Sequence, residues 1–155
     1  MSNFSEILLM THVAFGMLCI LTALWVFVDT LNAGETNLAR IRGVSFVAAA
    51  AMWSAFFIGG YWYLFEYSAD KTLILKGPWP FAHKFFMETK EHVVLMLLLL
   101  ATYLPIAASN NLAVNKDARS LVLCVAALIV LVAAAMDGTG AIIAMGAKLG
   151  ASMPK

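Results

Sequence analysis

Residues 80–105 read PFAHKFFMETKEHVVLMLLLLATYLP, a charged helix that becomes an apolar one without a break. From Val93 to Ala108 the chain carries no charge, but that run is only sixteen residues long. At about 1.5 Å per residue it reaches roughly 24 Å, short of a hydrocarbon core about 30 Å thick. A membrane span here must therefore take its first turn from upstream, and that turn holds Glu88, Lys90, Glu91 and His92. Ionisable groups at that depth cost several kcal/mol unless paired or ligated, which marks the turn as a candidate site.

Composition fits the same reading. The 155 residues are 63% hydrophobic and 12% charged, with a mean hydropathy of +0.87. Soluble domains run nearer half apolar and a quarter charged, so an integral membrane protein is expected. A net charge of +1 with no basic run gives no argument for a nucleic-acid partner. Cys19 and Cys124 both fall inside apolar segments and suggest no disulfide framework.

Hydropathy predicts one transmembrane domain over residues 1–155, with spans at about 7–28, 43–65, 86–108 and 120–140. The connecting loops are short, so an all-α, up-down four-helix bundle is the economical topology. The start MSNFSEILLM has no positive n-region, and Glu6 precedes the apolar run. The first segment is therefore expected to be a retained span and not a signal peptide. Between spans two and three, EYSADKTLILKGPWP reads as an interface segment, with Trp79 and Phe81 suited to an aromatic belt. The strictly apolar part of span four, Ser120 to Met136, is marginal for a crossing, so the helix is expected to run on past Asp137 to about Ala147. Gly146 and Gly150 form a small-xxx-small pair suited to close packing. Loop lysines and arginines number six against four on the two sides, too even to set orientation. The bacterial inner membrane is the expected location.

Alternating directions bring the starts of spans one and three and the ends of spans two and four to one side. That side collects His12, Tyr61, Tyr63, Glu66, His83, Glu88, Glu91, His92 and Asp137, including all three histidines. Spans one and three are diagonal partners in a square bundle, so His12 and His92 are expected to face one another, the arrangement a b-type haem needs. Small residues on the His12 side (Gly16, Cys19 and Ala23, with Ala48, Ala55 and Gly59 of span two) leave room for a bulky plane. Phe85, Leu95, Met96 and Leu99 share the face of His92, and Lys84, Lys90 or an arginine would pair with propionates. His83 is the substitute ligand. Glu88, Glu91 and Asp137 would orient the imidazoles or move protons.

Other readings stay open. Glu88 and His92 lie i, i+4 on one helix face, and with His12, Glu91 and Asp137 they offer nitrogen and oxygen ligands for non-haem iron or copper. The same groups suit a proton path or a quinone pocket. A cofactor-free accessory subunit packed against other membrane subunits needs none of this chemistry.

A histidine early in span one (His12), arginines ahead of span two (Arg40, Arg42) and the His83-Lys84 and Lys90-Glu91-His92 groups at the start of span three resemble small four-helix haem-binding membrane proteins. The copper-resistance D-type domains and the HemJ-type protoporphyrinogen oxidases have this layout. The resemblance covers spans one to three in layout; a tryptophan-rich approach to the third span is represented only by Trp79. It implies haem b and electron transfer within a membrane oxidoreductase, with quinone or larger subunits as partners.

Overall fold

Long apolar runs bounded by polar stops should fold as helices in lipid, where every backbone N–H and C=O has to be satisfied within its own segment. The computed structural model of the chain describes residues 3–153. It contains α1 (Asn3–Leu31), α2 (Leu38–Phe65), α3 (Tyr67–Lys76), α4 (Ala82–Ala107) and α5 (Lys116–Ala151), and no strand among the described residues. Four of these helices, all but α3, are long and apolar enough to cross a membrane. The protein is thus an all-α bundle of membrane-spanning build, as its sequence predicts.

The four long helices form a ring in which α1 and α4 each pack against α2 and α5. Spans one and three are therefore diagonal, as the short loops require. Small side chains line the inside: Cys19 and Ala23 of α1, Ala48, Ala51 and Ala55 of α2, Ala101 of α4, Ala126 and Ala133 of α5. Lipid tails are as apolar as leucine, so helices in a bilayer gain by close backbone approach, which small residues permit. Large residues such as Phe57, Leu99 and Leu131 are left on the outer surface.

The end holding the first and last interhelical loops is tied together by polar contacts. Arg40 grips Asp29 through two hydrogen bonds of 2.6 and 3.0 Å. Arg42 donates to the Ser109 carbonyl at 2.9 Å, and Arg119 donates to that of Leu31. Arg40 thus ties the end of α1 to the start of α2, while Arg42 and Arg119 stitch that end to the α4–α5 loop.

The opposite end differs from expectation in three ways. The interface segment contains α3, whose Asp70 in the first turn and Lys76 in the last suit the helix dipole. Helix α4 starts four residues earlier than expected, at Ala82, with a wide π-type turn over Ala82–Met87 in which the Glu88 N–H reaches back to the His83 carbonyl. Helix α5 does pass through Asp137, and it continues to Ala151. Its 36 residues correspond to about 54 Å. The far end of α5, α3 and the π turn form a cap with its own core of Trp62, Tyr67, Ile74, Ala82, Met87 and Ile143. Gly146 and Gly150 make this possible: a Cβ on Gly146 would come within 2.9 Å of the Ala82 Cβ, and one on Gly150 would run into the Leu73 carbonyl. The small-xxx-small pair packs one part of the chain on another.

Candidate functional site

Helix rise fixes the depth of the polar groups. His12 lies seventeen residues before Asp29, Lys90 seventeen before Ala107, and Asp137 twenty-one after Lys116, or about 26–32 Å from the stitched end. They form one layer near the far boundary of the hydrocarbon, beneath the cap.

Within this layer the imidazole of His12 is pinned to α2, its Nδ1 donating to the Ala55 carbonyl at 2.8 Å. That carbonyl can be reached because residue 59, one turn on, is glycine. A Cβ there would stand 2.5 Å from His12 Nδ1 and 2.7 Å from Cε1. Gly16, one turn along α1, admits Asp137 in the same way, since its Cβ would meet Oδ1 at 3.4 Å. Gly140, one turn along α5 from Asp137, lies beside Lys90, whose Nζ would be 3.2 Å from a Cβ. Three glycines thus seat three ionisable side chains from three helices. Asp137 is within electrostatic reach of both Lys90 and His12. Its Oδ2 is buried and has no hydrogen-bond partner among the described residues. Lys90 does not close on it: the one ion pair within 4.0 Å among the described residues is Arg40–Asp29.

His92 goes elsewhere. The inward face of α4 is set by Met87, Leu97, Leu98, Ala101 and Leu104, and Lys90 lies on it. Two residues on, about 200° around the helix, His92 points outward. It is exposed, its Nδ1 donating to the Glu88 carbonyl of its own helix at 2.7 Å. It lines an open groove with Lys84, Phe85, Glu88, Thr89 and Val93. The residues expected to share its face, Phe85, Leu95, Met96 and Leu99, are all exposed with it. So α1 and α4 are diagonal, but the imidazoles of His12 and His92 do not share one space.

The other candidates sit in or against the cap. His83 is buried, its Nδ1 3.0 Å from the Tyr67 hydroxyl. Burial pushes that hydroxyl's pKa well above the usual tyrosine range. Glu91 accepts a hydrogen bond from the Tyr63 hydroxyl, and the Tyr63 ring stacks on Tyr67 at 5.3 Å. Tyr61 is exposed against Phe65. Of the expected metal ligands, His12 comes together with Asp137 inside the bundle, Glu88 with His92 in the outer groove, and Glu91 is held by Tyr63. No group of three or more His, Cys, Asp or Glu able to hold a metal ion occurs among the described residues.

Lys90, expected at the rim as a partner for a propionate, is the inward residue of this layer. Its position three after Met87 and seven before Leu97 places it on the face those residues mark, a signal the helical period does carry. No family model matches the chain, and no curated protein or solved structure does either.

Proposed function

We propose that the chain is a proton-handling membrane protein, built around His12, Asp137 and Lys90, that serves a larger membrane oxidoreductase. The observation that carries this is the buried, unpartnered Asp137 Oδ2 beside an imidazole and an ammonium. An orphan carboxylate oxygen in a bundle costs about 1–3 kcal/mol or more, and groups of this kind inside membranes mark proton relays and ion paths. Histidine can take and release a proton at physiological pH, and its Nδ1–H is occupied by the Ala55 carbonyl, which leaves Nε2 as the exchanging nitrogen. Since Lys90 and Asp137 are not in direct contact, a bridging water would complete the path. Infrared difference spectra of the protein in nanodiscs, taken across a pH titration, should show a carboxylic-acid band that disappears in Asp137→Asn. Identical spectra for the two proteins would refute the reading.

A second reading, haem b binding for electron transfer, is favoured by one observation. His12 and His92 each hold a backbone carbonyl through Nδ1, the tautomer in which Nε2 is left for iron. The rings as placed do not bracket one plane, so a haem on His92 would lie on the outer face of α4. A dithionite-reduced minus air-oxidised spectrum decides it: b-type bands lost in His92→Ala support the reading, and a flat spectrum from protein purified with its native partners removes it.

A further inference from the structure

The cap above the ionisable layer holds a titratable group that the relay does not use. His83, on the π turn, is 5% exposed, and its Nδ1 stands 3.0 Å from the Tyr67 hydroxyl of α3. Burial keeps the proton on that phenol, so the hydroxyl donates and Nδ1 accepts. A proton added at Nδ1 removes the acceptor and puts an imidazolium into the core of the cap. The charges that reach the ring are Lys71 of α3, which opposes a cation, and Glu88 and Glu91 further along α4, which favour one. Both carboxylates are exposed, and Glu91 is engaged by Tyr63. Neither forms an ion pair with the ring, the one pair among the described residues being Arg40–Asp29. The residues that α5 sends into the cap, Ile143 and Gly146, carry no charge. A charge buried without a partner disfavours the closed packing.

The element that this imidazole holds down is weakly anchored. Only Glu66 joins α3 to α2, and α3 ends at Gly77, whose backbone is extended. Of its ten residues only Tyr67 and Ile74 are buried, and units with few buried apolar contacts open first. Trp62, Ala82 and Ile143 share the core it completes. Ile143 is six residues beyond Asp137 along α5, or about 9 Å.

We infer that α3 is an acid-released lid over the ionisable layer and that His83 is the group that releases it. Protonated His83 frees α3 to swing out about Glu66 and Gly77, and water then reaches towards Asp137. The purpose of the lid rests on the relay reading, since that layer is what it shields; its motion does not. Neutral His83 stabilises the closed cap, and this stability is lost as pH falls. Below about pH 6.5 the closed-to-open ratio should drop roughly tenfold per pH unit.

The test is hydrogen–deuterium exchange of the full chain in phosphatidylcholine nanodiscs, read as protection factors from about pH 8 to about pH 5. Peptides over residues 67–76 should lose protection roughly tenfold per unit below about pH 6.5, while those around Ala48 and Ala101 keep theirs. His83→Gln leaves a neutral acceptor for the Tyr67 hydroxyl and does not titrate, so residues 67–76 should stay protected throughout. His83→Phe fills the site without titrating, should show the same flat profile, and serves should the amide variant misfold. Protection independent of pH in the wild type, or falling equally in the His83 variants, would overturn the lid. A pH-dependent lid in a protein whose infrared titration shows no Asp137 band would refute the relay and leave the lid standing. An Asp137 band with pH-independent protection would do the opposite.

Discussion

Replacing Gly59 by alanine tests the seat of His12 most directly. The new Cβ would lie 2.5 Å from Nδ1, 2.7 Å from Cε1 and 3.3 Å from Cγ of His12. Non-bonded heavy atoms settle near 3.5–4.0 Å, so the ring must retreat by about 1 Å. A retreat of that size breaks the 2.8 Å bond to the Ala55 carbonyl. The lost hydrogen bond is worth about 0.5–1.5 kcal/mol and the overpacking about 1–3, against a helix-propensity gain of up to about 1. The net expectation is a loss of roughly 1–4 kcal/mol. Reversible unfolding in mixed micelles with SDS, followed by tryptophan fluorescence, can measure it. The sharper readout is a double-mutant cycle with His12→Ala, which removes the ring and with it the clash. Gly59→Ala should then be nearly neutral, giving a coupling on the order of 2 kcal/mol. Equal cost in both backgrounds would mean that Gly59 serves helix packing alone, and the account of His12 would fall.

Gly150→Leu should detach the cap, because the obstacle is the backbone carbonyl of Leu73 and cannot turn aside; amide exchange over residues 67–76 should rise steeply. Gly43→Ala, with nothing within 4 Å of its Cβ, should be neutral or stabilising by up to about 1 kcal/mol, and a clear loss there would question how the α1–α2 end is packed. Tyr67→Phe should cost about 1–3 kcal/mol by stranding His83 Nδ1, whereas Tyr67→Phe with His83→Phe should cost less than the single change.

The span count, the up-down topology and the passage of α5 through Asp137 were legible because hydropathy responds to length and charge. Helix rotation was harder to read. In lipid, the core-facing and lipid-facing sides of a helix are both apolar, so no amphipathic stripe tells them apart. On α1 and α2 the small residues gave the answer, and Cys19, Ala23, Ala48 and Ala55 are buried. On α4 the choice lay between leucine-rich faces, and that of His92 turned outward while that of Lys90 turned in. Helix α3 had start and stop signals in Asp70, Lys76 and Gly77. Its ten residues gave too little hydropathy contrast to set it apart from a loop. The seat of Asp137 depends on Gly16 of α1 facing the neighbouring α5, a tertiary juxtaposition that no local pattern encodes.

The length of α5 has a consequence for the membrane around it. A helix of about 54 Å cannot be matched by a hydrocarbon slab of about 30 Å, so the bilayer must choose where along α5 to place its upper boundary. Fractions of a kcal/mol per ångström govern that choice. In a thin membrane the boundary falls near Asp137 and water stands close to it. In a thick one the boundary climbs towards Lys148 and the carboxylate is submerged. Lipid thickness thereby becomes a dial on the hydration of the His12, Asp137 and Lys90 layer, set by the host membrane and not by the chain.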